Sequence, residues 1–170
     1  KTILVSLSLL ASSAVTWFLA GDSDESIIDL AIEQSILEAG AGTTAVQIRR
    51  LIVTEQEISD IQSVGHLACL EDLNLSGNEI RDISALKGLT QLEVLDLSQN
   101  QISDLTPLKN LKKIRFLNLS QNKIRSVEAL PELPELTGLD LTGNGRIDLR
   151  AVKELKKLRA LFLSTDMQLS

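Results

Sequence analysis

The sequence predicts an α/β solenoid: a stack of 22-residue coils in which each coil gives one short strand to a single parallel sheet. The first observation is the spacing of Asn78, Asn100, Asn122 and Asn144, which recur every 22 residues. The second is a set of seven apolar slots around each such position. Over five full repeats, 34 of the 35 slots hold Leu, Ile or Val, although apolar residues make up only 44% of the chain. This regularity indicates a solenoid, since one unit alone cannot bury its apolar edge.

Each repeat contains two local patterns. Around Asn78 the apolar slots are Leu70, Leu73, Leu75, Ile80, Ile83, Leu86 and Leu89. The alternation of Leu73 and Leu75 predicts a short strand with one buried face. The later slots lie three residues apart, which predicts a tight 3₁₀ or helical return. Stacking then places each leucine against its equivalent in the next coil, so the strands become parallel neighbours.

Two polar columns accompany the apolar slots. An asparagine side chain both donates and accepts, so the Asn column is predicted to satisfy backbone groups where the chain turns out of the strand. Gln56 and Asp166 replace it at the two ends, as is typical of terminal repeats. In one repeat Arg146 occupies an apolar slot and Ile147 follows it, which predicts a local bulge. The second column is predicted to cap the returns and consists of Asp60, Asp82, Asp104, Ser126 and Asp148.

The motifs LEDLNLSGNEI, LEVLDLSQNQI, IRFLNLSQNKI and LTGLDLTGNGRI resemble the 22-residue class of leucine-rich repeats, which includes internalins and the repeat regulator of protein phosphatase 1. The resemblance covers Ile48 to about Asp166, roughly 70% of the chain. It implies a right-handed curved solenoid that carries its parallel sheet on the concave face and binds proteins there.

Three segments are expected: 1–21 as a signal peptide or N-terminal anchor, 22–47 as a helical cap with a Gly-rich hinge, and 48–170 as the repeats. Lys1 followed by an uncharged apolar stretch to Gly21 is typical of an export signal, with cleavage after Ala14 or near Ala20. The alternative is an uncleaved membrane anchor. Isoleucines at 28, 32 and 36 predict a helix over 23–39 that covers the open end of the core, and this resembles the cap of internalins.

Composition narrows the possible functions. The net charge is -6, and an acidic chain repels phosphate backbones, so nucleic acid is not an expected partner. The single Cys69 cannot form an internal disulfide, and His66 has no second ligand at metal-binding spacing. The sequence contains no phosphate loop, nucleophile elbow or metal motif. We therefore expect no catalytic residues, no metal and no cofactor.

The outward strand positions are the candidate binding site. Val94, Phe116 and Phe162 break the polar consensus there, and exposed aromatics are enriched at binding hot spots. The alternative is that such an aromatic packs over its neighbours or under a terminal loop. The predicted partner-contacting set is Asp72, Asn74, Val94, Asp96, Phe116, Asn118, Asp140 and Phe162.

Two basic clusters lie near the returns. They form either a solvated back surface or a docking edge for an acidic partner. The first consists of Lys109, Lys112, Lys113 and Arg115, and the second of Lys153, Lys156, Lys157 and Arg159.

The function that these features favour is that of an exported, non-enzymatic protein, periplasmic, cell-surface or secreted and bacterial, which binds a protein partner through its concave sheet. Contact with a membrane is expected only if the N-terminal segment is uncleaved. Two alternatives stay open: a membrane-anchored envelope spacer, and the repeat part of a longer effector that carries a catalytic domain elsewhere.

Overall fold

The structure is a computed structural model and describes residues 48–164. Over this range the chain forms one open parallel sheet of six strands, in which each strand lies beside the next in sequence. The predicted solenoid is therefore confirmed. The expected signal or anchor segment, the helical cap, the hinge and Asp166 lie outside the described residues. The strands are β1 (Arg50–Ile52), β2 (Asp72–Asn74), β3 (Val94–Asp96), β4 (Phe116–Asn118), β5 (Gly138–Asp140) and β6 (Ala160–Phe162).

Short 3₁₀ helices connect the strands, as the three-residue spacing predicts. None of the helices in residues 48–164 is both long and apolar enough to cross a membrane. The 3₁₀ helices are Gln62–His66, Ser84–Gly88, Thr106–Asn110, Leu130–Glu132 and Arg150–Glu154.

The core consists of stacked aliphatic columns. Register pairs Leu73 with Leu95 and Leu95 with Leu117, so each leucine lies 22 residues from its neighbour in the column. These side chains are at most 2% exposed, and each such burial stabilises the fold by roughly 1.5–3 kcal/mol. Leu161 in β6, the strand at one edge of the described sheet, is only half-buried.

The Asn column ties each turn to the coil before it. Asn100 is 7% exposed, and its Nδ2 donates to the carbonyls of Leu75, Leu97 and Ser98 at 2.9, 3.2 and 3.1 Å. Its Oδ1 accepts the N–H of Ile80, in the preceding coil, at 2.9 Å. The predicted structural role is confirmed. Buried equivalents with the same inter-coil bonds are Asn78, Asn122 and Asn144.

The aspartates of the second column start the returns. Asp104 accepts the N–H of Thr106, the first residue of its 3₁₀ helix, at 2.8 Å. Hydrogen bonds from the side chain and then the backbone of Thr106 lower the pKa of Asp104. At Ser126 the capping prediction is wrong: the hydroxyl accepts from Glu128, whereas the helix begins at Leu130. Pro131 presets the helical φ there, so this return starts later.

The predicted bulge is present where Arg146 interrupts the pattern. Ile147 takes the core slot and is 3% exposed, while Arg146 points to solvent. Gly145, with a φ of 72°, absorbs the extra residue between the turn and the slot. The bond to the preceding coil now runs from the N–H of Asp148 to the carbonyl of Arg125 at 2.9 Å. Ile147 thus keeps this slot of the core filled, while the next two apolar slots of the coil, Leu149 and Val152, are only half-buried.

Candidate functional site

Three large apolar side chains are exposed on the outward face of the sheet. Val94 is 38%, Phe116 51% and Phe162 58% exposed. Val94 and Phe116 are direct neighbours in the register of β3 and β4. Phe162 lies on β6, beside Asp140. The structure therefore places all three predicted apolar contacts in solvent on one face.

The Phe116 ring packs against Gly138, which has no side chain to obstruct it. In the register, Gly138 of β5 lies next to Phe116, and a Cβ added to Gly138 would stand 2.8 Å from Cδ1 of the ring. The ring therefore leans over the Gly138 backbone and buries it, while half of the phenylalanine stays exposed. The ring thus packs on its neighbour, as the alternative interpretation predicts, and its other side is exposed to solvent.

Small residues separate the two aromatics. Gly138 and Ala160 follow Phe116 in the same column, and Phe162 stands two residues further along β6. From strand spacing and rise, the Cα atoms of Phe116 and Phe162 lie roughly 12 Å apart. The two rings thus lie on either side of a shallow depression in the sheet surface, where the side chains of Gly138 and Ala160 are small.

The polar candidates are partly committed to their own backbone. Asp96 Oδ1 accepts the N–H of Ser98 at 2.9 Å, and Asn118 Oδ1 accepts the N–H of Ser120 at 3.0 Å. Such bonds fix the turn that leaves the strand. Asn118 Nδ2 also donates to Asp96 Oδ2 at 3.1 Å. Asn74 and Asp140 make the same bond to the residue two positions on.

Asp72, the remaining candidate, pairs with Arg50 of the neighbouring strand at 2.6 Å. Its carboxylate is therefore already neutralised by its own chain. Five of the eight predicted contacts are thus polar side chains that already bond to other groups of the described residues. The other three, Val94, Phe116 and Phe162, expose apolar surface to solvent. We therefore centre the candidate site on Phe116, Val94 and Phe162.

Acidic side chains of adjacent coils pair with three of the eight cations of the two basic clusters, namely Lys112, Arg115 and Lys157. These ion pairs favour the solvated back surface for those three residues. Lys112 donates to Glu132 at 3.0 Å, and this hydrogen bond lowers the pKa of Glu132. The other inter-coil pairs are Lys157 with Glu135 at 2.7 Å and Arg115 with Glu93 at 3.9 Å.

Sequence reasoning missed this ladder of ion pairs, although the signal was available. Arg49 pairs with Glu71, exactly one repeat of 22 residues later in the chain. Opposite charges at this separation become lateral neighbours once the period is known.

The remaining titratable candidates show no assembled site. His66 is exposed, and Cys69 is a half-buried free thiol. Within residues 48–164 no group of three or more His, Cys, Asp or Glu side chains could hold a metal ion.

Comparison with known proteins gives consistent matches. The sequence model of the family described as Leucine Rich repeats (2 copies) matches residues 70–110, 90–132 and 112–157. An internalin (inlF) from Listeria monocytogenes is 29% identical with a TM-score of 0.77, over 88% of this chain and 44% of that one. Internalin C2 from the same organism is 36% identical with a TM-score of 0.65, over 68% and 51%.

The functional domain of InlJ, also from Listeria monocytogenes, is 20% identical with a TM-score of 0.61, over 74% of this chain and 27% of that one. At this identity the match shows a likeness of fold alone. A comparison with curated protein sequences finds no match. The chain spans about half, or less, of the length of the solved structures it matches.

Proposed function

This chain belongs to the leucine-rich repeat family, with repeats of the internalin kind, and from that premise we propose that it is an exported, non-enzymatic protein that binds a protein partner through its concave sheet. A fold of stacked coils offers a rigid, ready-made surface, so association orders little backbone. Such a scaffold is suited to protein recognition.

The observation that carries the proposal is the exposed ring of Phe116 in the middle of the sheet. It is 51% exposed and seated on Gly138, so its orientation is set before a partner arrives. Aromatic side chains, phenylalanine included, are enriched in the buried centres of protein interfaces relative to the rest of the surface. Val94 beside it extends the apolar surface across two strands.

Export is supported by the sequence of the first 21 residues. Lys1 precedes an uncharged, apolar stretch, and the first acidic residue is Asp22. This order of charge, apolar segment and small residues is the anatomy of a secretory signal. The similarity to proteins of a bacterium is consistent with a bacterial origin.

The test uses the chain as an immobilised bait and then measures the captured partner in solution. Proteins retained by the unaltered chain are compared with those retained by Phe116→Ala, and a retained protein is purified and titrated by calorimetry. We expect Phe116→Ala to weaken binding by about 2 kcal/mol or more, roughly thirtyfold in Kd.

The matched control is Lys112→Ala, on the return side of the solenoid. This substitution removes two exposed bonds of Lys112, the ion pair with the Glu132 carboxylate and the hydrogen bond to the Glu132 backbone carbonyl. The ion pair is worth about 1 kcal/mol at most, and both bonds lie on the return side, so binding should not change. If Lys112→Ala reduces affinity and Phe116→Ala does not, the partner binds the basic edge and the proposed face is wrong.

A further inference from the structure

A groove of about 730 Å³ lies where β4, β5 and β6 begin, and Phe116 and Ala160 form part of its wall. The rest of the groove is lined by Thr137 and by charged residues from the segments that lead into β3 to β6. The residue directly before each strand defines what we term the lead column. It consists of Arg49, Glu71, Glu93, Arg115, Thr137 and Arg159.

The lead column is held at a constant spacing by the backbone. The N–H of Arg115 donates to the carbonyl of Glu93 at 2.8 Å, that of Thr137 to Arg115 at 2.9 Å, and that of Arg159 to Thr137 at 2.8 Å. Lateral neighbours in the column are therefore close enough for their side chains to pair.

The first four residues of the lead column form two ion pairs, but the last two do not form a third. Arg49 pairs with Glu71, and Arg115 with Glu93. The third pair would be Thr137 with Arg159, but a threonine stands where a carboxylate would complete it. The Thr137 hydroxyl instead donates to the carbonyl of Arg115 at 2.9 Å. Within residues 48–164 the Arg159 guanidinium has no ion pair or side-chain hydrogen bond, and the residue is exposed.

The row behind the lead column adds to this positive charge. Lys157 is neutralised by Glu135 at 2.7 Å, but Lys113 donates to the uncharged amide oxygen of Gln91 at 2.5 Å. The groove lining thus holds four cationic and two acidic side chains, a formal charge of +2, on a chain whose net charge is -6. A local excess of positive charge on an acidic protein is complementary to a short acidic ligand.

We propose that this groove takes an acidic segment of the protein partner, with one carboxylate on Arg159 and one apolar side chain against Phe116 and Ala160. The inference rests on the proposed function and names the chemistry of the partner at that same face. A protein segment fits better than a nucleic acid, because the groove joins its charges to the aromatic centre of the concave face and the rest of the chain repels a polyanion.

The decisive variants restore or remove the missing charge pair. Thr137→Glu gives Arg159 the carboxylate that the column lacks, and Thr137→Gln is its uncharged match. Both variants lose the hydroxyl bond to Arg115, so their difference isolates the charge. Arg159→Gln removes the cation itself. Lys109→Gln is the control for a cation outside the groove, on the helix Thr106–Asn110.

The probe is a synthetic capped peptide, GDEFEDG, titrated into the full chain labelled with nitrogen-15. We expect shifts of the amide signals of Thr137, Gly138, Arg159 and Ala160, with a Kd of about 0.1–1 mM. Thr137→Glu and Arg159→Gln should weaken binding by about three- to fivefold, the range of an exposed ion pair. Thr137→Gln and Lys109→Gln should stay within about twofold of the parent, and added salt should weaken binding.

Four outcomes would overturn the assignment. Two concern charge: equal affinities of Thr137→Glu and Thr137→Gln for the peptide, or equal binding of a peptide in which Gln and Asn replace the acidic residues. The other two concern the ligand: a single-stranded oligonucleotide that binds the groove as well as the peptide does, or no binding of the peptide at all. None of them touches the calorimetric comparison of Phe116→Ala with Lys112→Ala on the captured partner. The failure of this inference is thus distinguishable from failure of the proposed function.

Discussion

Asn100→Ala should destabilise the fold by an amount that can be worked from individual hydrogen bonds. The substitution removes the one acceptor of the Ile80 N–H, which is then left buried without a partner. An orphaned buried donor costs about 1–3 kcal/mol. The carbonyls of Leu75 and Leu97 each lose one of two side-chain hydrogen bonds. The Leu75 carbonyl still accepts from Asn78 and the Leu97 carbonyl from Asn122, so neither is left without a donor.

Adding about 1 kcal/mol for those weakened bonds gives a total loss of roughly 2–4 kcal/mol. Urea denaturation followed by circular dichroism measures this loss directly. With a slope of about 2 kcal/mol per molar, the middle of the usual range for urea, the midpoint should fall by roughly 1–2 M. The measurement is made at fixed pH and protein concentration for parent and variants.

The matched control is Asn110→Ala. Asn110 ends the helix Thr106–Asn110, is exposed, and makes no side-chain hydrogen bond within residues 48–164. Its removal should change stability by no more than about 0.5 kcal/mol. If the midpoints of Asn100→Ala and Asn110→Ala coincide, the Asn column does not join the coils as described.

Three further predictions concern charge, the aromatic seat and export. The side chain of Arg150 and then its backbone N–H donate to Asp148 and lower the pKa of Asp148 from 3.8 to about 2, so the ionised carboxylate stabilises the fold above about pH 4 and this contribution fades as the pH falls towards 2. In Arg150→Gln the backbone bond remains, so carboxyl-carbon NMR should find the pKa raised towards 3.8 but still below it; an unchanged pKa would show that the side-chain pair does not form in solution. Gly138→Ala should displace the Phe116 ring, weaken the nuclear Overhauser effects between the ring protons and the Hα of residue 138, and reduce affinity for the captured partner, while the loss of stability stays near 1 kcal/mol; intensities equal to those of the parent would contradict the close approach. Expressed in a bacterium, the chain should mature by loss of about 14–21 residues, and an exported product that still begins at Lys1 would favour the anchor instead.

The repeat period was sufficient to predict the fold. Once the asparagines at 22-residue spacing were aligned, the slots of Leu73, Leu95 and Leu117 predicted both the strands and their parallel register, and the structure confirms this. Even the bulge beside Ile147 was visible as a one-residue shift. Stacked coils make this possible, because contacts between neighbours repeat at a fixed separation in sequence.

The candidate site was only partly predictable. The exposure of Phe116 followed from strand alternation, but its tilt over Gly138 depends on a side-chain rotamer that no pattern encodes. Asp96 and Asn118 were expected to face a partner, yet each also holds the turn that follows it. A polar side chain in this position can accept the backbone N–H two residues on or can bind a partner, and sequence alone does not tell which role it has.

Backbone strain was also outside the reach of the pattern. The residue before each asparagine takes a left-handed conformation, which glycine provides at Gly77. Gln99 and Gln121 adopt the same φ of 54° with a side chain attached. A glutamine carries no signal for this conformation, so the turn had to be seen in the structure.

The most direct test of the account is the footprint of the captured partner on this chain, measured by cross-saturation NMR with the partner irradiated. The account predicts that saturation reaches the amide protons of β3 and β4, at Val94–Asp96 and Phe116–Asn118, and leaves the 3₁₀ helices Thr106–Asn110 and Arg150–Glu154 unaffected. Saturation confined to those helices would place the partner on the return side and contradict the claim that the concave sheet is the binding face.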